Sequence, residues 1–409
     1  MKISPVWSRC SLRAYFIVKI LVANLGSTSF KFRLFEMGED QECQLAEGGY
    51  ERVTDYEEVI RDALDALDRE GIASQEEIEA VGFKAVLGRN LSGCVEAGEE
   101  VLAALEGFSE VAPAHNPAYA AGIRQFGKIL PEARRVALFE TAYYQWVPDA
   151  GMRYAVPRSW HEAGIQRHGF HGASHKFIAE RSAELLARDD VAAVARRLYQ
   201  NGPSSVGRPL RVISCHLGGS SSVTGIRNGV AVGTSMGFSP QSGLPQNNRV
   251  GDLDSGAIPY AVSVLGLSMT EVEQQLTKES GLLGVSGVGG DMRDVREAAQ
   301  EGNADAQLAV DLFVHEVRRW ASSFLFELGG LEGLVFTAGI GENNPWLREE
   351  VCAGLEGLGI SLDPIRNENL RGEEGEISDA GAKVKVFVIP ANEELVLARE
   401  VYRKVSVLN

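Results

Sequence analysis

Two stretches of this chain end an apolar run in glycines and hydroxyls, and each has the makings of an anion cradle. The first considered is Val212-Ile213-Ser214-Cys215-His216-Leu217-Gly218-Gly219-Ser220-Ser221-Ser222, with a second strand expected over Val223 to Val232. Such a turn can aim successive backbone N–H groups and hydroxyls at one oxyanion, because glycine lets the backbone approach closely. An earlier stretch repeats the order: an apolar strand from Ile20, then Asn24-Leu25-Gly26-Ser27-Thr28-Ser29, then Phe30 to Phe35. A single Gly/Ser turn fits an ordinary hairpin. Two matching turns so far apart suggest a duplicated βββ unit, a phosphate loop in each half and a cleft between them.

Other groups with chemical potential lie along the chain. Arg167-His168-Gly169-Phe170-His171-Gly172-Ala173-Ser174-His175 gathers three of the seven histidines. Glycines interrupt the run and no cysteine or acid joins it, so a polar loop presenting donors to an anion fits better than zinc. Arg249 precedes Asp252 and Asp254, and a surface ion pair is its plain reading. Gly122 to Ile129 mimics a P-loop, but position 129 lacks the hydroxyl for Mg²⁺ and no strand leads in. Strand Gly333 to Thr337 feeds a third small-residue turn, Ala338-Gly339-Ile340-Gly341-Glu342-Asn343, a usual seat for a nucleotide.

The elements that must position these groups follow from pattern. Thr54-Asp55-Tyr56-Glu57 reads as a capping box opening a helix whose stripe is Tyr56, Val59, Ile60, Ala63, Leu64 and Leu67. Strands are expected over Ala80 to Leu87, Val136 to Phe139 and Lys383 to Ile389. Helices are expected over Gln307 to Leu328 and Asn392 to Lys404, and a polar connection over Asp189 to Pro209. With 409 residues, two domains are expected. A net charge of −16 argues against nucleic acid or an anionic membrane as partner, so an anionic substrate needs a local cluster of cations. Five scattered cysteines without a CxxC fit reduced cytosolic thiols, and no apolar run reaches a membrane span. Met1 to Ile17 reads as a disordered extension or a mis-assigned start, its apolar part being too short for a signal peptide.

Taken together, the motifs resemble those of the acetate kinases, of the actin/hsp70/sugar-kinase superfamily, from about Val18 to Val401. The residues that carry the resemblance are Asn24 to Lys31, Ala112-Pro113-Ala114-His115-Asn116-Pro117, Gly169 to His175, Thr234 to Phe238, Phe336 to Asn343 and Ile389 to Leu395. The resemblance implies an α/β fold of duplicated actin-like (ribonuclease H-like) βββαβαβα domains with an interdomain cleft. The N-terminal domain would take residues 18–158 and 391–409, and the C-terminal nucleotide-binding domain residues 159–390. It implies a cytoplasmic homodimer that uses ATP and Mg²⁺ (or Mn²⁺) to phosphorylate a short-chain carboxylate. Glu140, His171 and Arg249 would be catalytic, with Arg249 and His171 acting on the in-flight phosphoryl group. Lys84, Val86, Ala114, Phe170 and Pro240 would receive the acid. Lys31 and the loop His216, Leu217, Gly218, Gly219 and Ser220 would hold the phosphates. Asp291, Met292, Arg293, Gly339, Ile340, Gly341, Glu342 and Asn343 would hold the adenosine, and Asn24 and Glu393 the metal.

Five departures from the family bear on the acid side above all. Phe83 to Arg89 replace a His-Arg-Val-Val-His-Gly-Gly run, so Lys84 stands for the arginine that clamps the carboxylate and lacks its bidentate fork. Glu140 stands for an aspartate and carries its carboxylate about an ångström farther. Gly219-Ser220 replace Asn-Gly in the phosphate loop, and Asn247-Asn248 replace Gly-Thr before Arg249. Ala114 replaces a leucine and leaves room at the acid's alkyl end. Three readings stay open at this point: an acetate or propionate kinase with a re-tuned site, a kinase for another acyl acid, and a nucleotide-binding regulator without transfer activity. The pair His171 and Arg249 argues against the last, since a pure binder has no need of transition-state cations.

Overall fold

The computed structural model describes residues 4–5, 17–26, 28–39, 41–88, 91–109 and 116–406. The chain divides into two compact units, Met1–Gln145 with Asn392–Asn409 and Trp146–Ala391. In unit 1 the strands are β1 (Ser4–Pro5), β2 (Val18–Leu25), β3 (Ser29–Met37), β4 (Glu42–Glu51), β5 (Ile78–Ala85), β6 (Cys94–Glu96) and β7 (Arg134–Phe139). They form one sheet in the order β1-β4-β3-β2-β5-β7-β6. β2 pairs antiparallel with β3 and β3 with β4, whereas β2, β5 and β7 run parallel. β2 is buried at nearly every position, as a strand covered on both faces must be. One cover is the helix Glu393–Ser406: a Cβ on Gly82 of β5 would lie 2.9 Å from Val401 Cγ2.

Unit 2 repeats the plan with β8 (Arg211–Leu217), β9 (Ser221–Arg227), β10 (Val230–Thr234), β11 (Gly333–Thr337), β12 (Gly375–Glu376) and β13 (Lys385–Val388). Their order is β10-β9-β8-β11-β13-β12, with β8, β11 and β13 parallel. The cores β4-β3-β2-β5-β7 and β10-β9-β8-β11-β13 thus share one order of strands, third-second-first-fourth-fifth. This is the duplicated topology that the paired turns suggest. Behind the second sheet lies the helix Ala304–Leu328, capped by Asn303 at its start and by left-handed Gly329 at its end. It buries Val310, Phe313, Val317 and Phe324 in the core of unit 2. No helix among the described residues is long and apolar enough to cross a membrane.

Several elements differ from the sequence reading. The run from Val223 breaks into β9 and β10 at Asn228-Gly229, both at positive φ, the residue pair that a two-residue hairpin favours. Asp55, not Thr54, caps the helix Tyr56–Arg69, taking the N–H groups of Glu57 and Glu58. The segment after Asp189 is helical over Asp189–Arg196 and Leu198–Asn201. Gly122 to Ile129 lie inside the helix Asn116–Ile129, which agrees with setting the P-loop aside. Ser4 and Pro5, within the stretch read as an extension, pair with Glu47 and Ala46, and the rest of that stretch lies outside the described residues apart from Ile17. Residues 146–158 group with unit 2, where the Trp146 ring stacks on Tyr199 and the Tyr154 hydroxyl accepts from Phe238 N–H.

Candidate functional site

Unit 1 gathers its charged candidates at the carboxyl ends of β5 and β7 and at the start of the last helix. Lys84 on β5 pairs in register with Leu138, so Glu140, two residues on, lies along the same face of the sheet. The Lys84 ammonium sits 2.6 Å from Glu393 Oε2 and 3.1 Å from Glu140 Oε1. Burial works against the lysine's charge, and the two carboxylates outweigh it, holding its pKa well above the ordinary value. The Tyr119 hydroxyl donates to Asn24 Oδ1 at 3.0 Å, and burial pushes that phenol far up, so it stays a neutral donor. Lys31 reaches outward to Glu51 at 3.4 Å, with both side chains exposed. Val86 is buried. Ala114, Ser27 and Arg89 lie outside the described residues.

Among the described residues, no three His, Cys, Asp or Glu side chains gather as a metal-binding group. A hard cation such as Mg²⁺ keeps most of its waters and takes only one or two protein oxygens beside the phosphates. Asn24 Oδ1 and the Glu393 carboxylate are donors of that class, and the donor set fits such an ion.

In unit 2, His171 has a left-handed backbone (φ 60, ψ 29) and immediately precedes the helix Gly172–Leu185. A non-glycine residue held there is a strained position of the kind that collects at functional sites. The twist sets its ring face to face with His216, with centroids 4.0 Å apart and planes 21° apart. His171 Nδ1 is 2.8 Å from Ser222 Oγ, and His216 Nδ1 is 2.8 Å from Ser174 Oγ. Behind them His175 is fully buried, and burial, with a smaller push from His216, holds its pKa well below the usual imidazole range. Phe170 is buried beside this group.

Arg249 does not form the ion pair that its neighbours suggest. Asp252 is taken by Arg319 at 2.7 Å, and Asp254 accepts from Gly256 N–H. The Arg249 guanidinium instead touches neutral groups, Gln246 Oε1 at 3.2 Å and Ser220 Oγ at 3.5 Å, and Ser220 in turn donates to Gln246 at 2.7 Å. Burial lowers its pKa, and no carboxylate among the described residues pairs with it. Its loop is held by the backbone of the segment after Ser280: Leu282 N–H donates to Gln246 O and Leu283 N–H to Asn247 O. Gly281, at φ 64, must lack a side chain, because a Cβ would lie 2.1 Å from Gln246 O. Gln246 also donates to Pro240 O at 2.6 Å, so one buried amide ties Pro240, Ser220 and Arg249 together.

The phosphate-loop residues divide by burial. Leu217 is part of the core and offers only its backbone, whereas Gly219 is exposed and Ser220 half-buried. The Gly218 N–H is already engaged with Ser221 Oγ at 3.1 Å. Among the adenosine candidates Met292 and Ile340 are core residues, while Gly339, Asn343 and Arg293 are exposed. Asp291 caps its helix and pairs with Arg293, whose guanidinium holds that carboxyl down at about 2. The turn after β11 is a short helix, Ala338–Asn343, and Glu342 accepts from Ala391 N–H. Arg348, which the sequence reading passes over, is fully buried and makes five hydrogen bonds, to Gly341 O, Glu342 O, Asn367 O, Leu370 O and Asn367 Oδ1. It pins the end of that helix to the segment after Pro364, and burial lowers its pKa to about 10.

Residues 46–399 match the pattern that defines the Acetokinase family. Acetate kinase from Shouchella clausii (strain KSM-K16) is 38% identical over 95% of this chain and 100% of its own length. That from Geobacillus kaustophilus (strain HTA426) is 39% identical over 95% and 99%. Among solved structures, Porphyromonas gingivalis acetate kinase superposes with a TM-score of 0.83 at 33% identity, covering 96% of this chain and 100% of that one. A propionate kinase from Francisella tularensis subsp. tularensis SCHU S4 gives 0.79 at 32%, covering 94% and 99%.

The buried histidines generate a prediction about stability. An unfolded histidine takes up its proton near pH 6.5, whereas folded His175 stays neutral until well below that, and His168 shifts the same way through burial. Between the two values the unfolded chain binds more protons, so stability falls as pH falls, by about 1.4 kcal/mol per pH unit for one such group. The urea midpoint should therefore drop between pH 7 and pH 5, and His175→Gln should flatten that slope. An unchanged slope in the variant would contradict the assignment.

Proposed function

The chain belongs to the acetokinase family, and on that premise we propose that it reversibly transfers the γ-phosphoryl group of ATP to acetate or propionate. A carboxylate is ionised at pH 7 and attacks without a base. One of its oxygens bonds to the γ-phosphorus while the bond from that phosphorus to the bridging oxygen breaks, and ADP leaves. The obstacle is the approach of two anions, so catalysis is positioning and charge neutralisation.

Arg249 and His171 stabilise the phosphoryl group in flight. Lys84 meets the acid as a point charge, oriented by Glu140, and Val86, Ala114, Phe170 and Pro240 are the residues we assign to its alkyl end. Lys31 and the backbone of His216 to Ser220 hold phosphates. Asp291 to Arg293 and Gly339 to Asn343 hold the adenosine. Asn24 and Glu393 would hold Mg²⁺, which would supply charge neutralisation for the phosphates. The observation that carries this reading is Arg249: a cation kept among neutral acceptors retains its field for an arriving anion.

Arg249→Ala should lower kcat by about 100- to 1,000-fold, the scale of losing one preorganised transition-state donor. Nucleotide affinity, measured by calorimetry, should change far less. Loss of affinity with a normal rate for the bound complex would make Arg249 a ground-state ligand. A chain that binds ATP yet phosphorylates no C2 to C5 acid would be a nucleotide-binding regulator instead.

Lys84 and Ala114 both loosen the acid site relative to the family, one relaxing carboxylate orientation and the other removing a wall. One methylene in an apolar pocket is worth about 1–3 kcal/mol, so preference shifts toward propionate by about tenfold. The ratio of kcat/KM for propionate over acetate should be near or above one, and Ala114→Leu should return it toward acetate. A strong preference for acetate that ignores Ala114→Leu would rule this pocket out.

The helix Ala257–Val264 buries none of its residues, and Tyr260, Val264, Leu265 and Met269 are each more than half exposed. So large an apolar face supports a homodimer built on this helix. Light scattering should give twice the monomer mass, and Tyr260→Glu with Leu265→Glu should halve it. A wild-type chain that scatters as a monomer at micromolar concentration would end the proposal.

A further inference from the structure

Four side chains of unit 2 form one unbroken hydrogen-bonded chain, and the reaction as described uses His171 and leaves the other three without a role. Ser214 Oγ is 2.8 Å from His175 Nδ1, His175 Nε2 is 2.8 Å from Ser222 Oγ, and Ser222 Oγ is 2.8 Å from His171 Nδ1. Ser214, His175 and Ser222 are each 0% exposed, so their protons must be satisfied within this chain or by near neighbours. The register of β8 against β9 assembles it. Ser214 and His216 face Thr224 and Ser222, which puts these polar residues on one face of the sheet, toward the helix that carries His175 and is preceded by His171.

The protons can be counted. A hydroxyl has one proton, and a neutral imidazole has one N–H and one lone pair. His175 is neutral, because burial holds its pKa far below 7. The chain then runs in one of two directions. In the first, Ser214 O–H donates to His175 Nδ1, His175 Nε2–H donates to Ser222, and Ser222 O–H donates to His171 Nδ1. Every donor has an acceptor. In the second, His171 Nδ1–H donates to Ser222, Ser222 donates to His175, and His175 donates to Ser214. The Ser214 proton is then turned away from His175, its hydrogen-bond partner among the described residues. A buried donor left without an acceptor disfavours that arrangement by about tenfold or more.

We infer that Ser214, His175 and Ser222 act as positioning residues that fix His171 in the tautomer with its proton on Nε2. The inference rests on His171 acting on the phosphoryl group. An oxyanion is attracted by an N–H and repelled by a lone pair, so the direction of the chain decides whether His171 helps or hinders. The His216 ring stacked on one face and the left-handed backbone at His171 hold the ring while the chain sets its proton.

Long-range ¹H–¹⁵N correlation spectra of histidine-labelled protein at pH 8 read the tautomer directly, with His171 assigned through His171→Gln. His171 should carry its proton on Nε2. Ser222→Ala should move it toward Nδ1 and lower kcat by about tenfold or more, with nucleotide KM changed less than about twofold. Ser222→Thr, which keeps the hydroxyl, should restore both. Should Ser222→Ala fail to fold, Ser214→Ala removes the head of the chain and should shift the tautomer the same way. An Nδ1–H tautomer in the wild type overturns the inference, as does a Ser222→Ala enzyme with tautomer and kcat unchanged. Full activity of His171→Gln alongside a shifted tautomer in Ser222→Ala would instead remove the catalytic reading of His171 and leave the hydrogen-bonded chain standing.

Discussion

A guanidinium kept among neutral acceptors is the constraint around which unit 2 is arranged. The chain carries 56 acids against 40 lysines and arginines, so an uncommitted cation is hard to maintain. Most arginines near an acid have taken it: Arg211 pairs with Glu332, Arg181 with Glu374 and Arg188 with Asp190. Arg249 escapes because Arg319 and the Gly256 N–H remove the two aspartates that follow it in sequence. Gln246 and Ser220 then accept from its Nη1 without cancelling its charge. The cost is desolvation, visible in the lowered pKa. The close backbone approach at Gly281 holds that loop in place.

Arg348 obeys the same rule for a different end. Its N–H groups meet carbonyls and one amide, and no carboxylate. The charge there serves geometry: it collects the carbonyls at the end of the Ala338–Asn343 helix and those of the neighbouring segment, sharing Glu342 O with the Gly372 N–H. Among the described residues, neither arginine hydrogen-bonds a carboxylate; Arg249 is the one assigned above to the phosphoryl group, and Arg348 holds up the turn Ala338–Asn343.

The topology was legible because it rests on repetition that survives divergence. Asn24-Leu25-Gly26 and His216-Leu217-Gly218 each end the first strand of a meander, and the same strand order follows both. Boundaries set by single residues were less legible. Asn228-Gly229 is a hairpin signal in plain view, hidden by the apolar run on either side, and Thr54 and Asp55 are equally good caps until the backbone chooses. The hydrogen-bonded chain behind His171 joins residues dozens of positions apart, so no local motif contains it. Its trace in sequence is the alternation of Ser214 with His216 and of Ser222 with Thr224 inside strands otherwise apolar. Arg348 left no trace, because a lone arginine in an amphipathic helix looks like a surface residue until the helix is packed.

The departures at Lys84 and Glu140 are better understood as one change than as two losses. Both side chains project from the same face of neighbouring parallel strands, with the Glu140 N–H bonded to Ala85 O at 2.8 Å. An arginine spans that gap with a planar fork and fixes the carboxylates in its plane. A lysine presents one compact ammonium, and a carboxylate must come to it. Glutamate, longer by one methylene than aspartate, does so, and the contact closes at 3.1 Å while Glu393 approaches from the last helix at 2.6 Å. The group carries one positive and two negative charges, so lysine in place of arginine keeps the charge balance and gives up only direction. If Lys84 receives the acid as proposed, what this chain has relaxed is the orientation of that carboxylate, while the charge that meets it is unchanged.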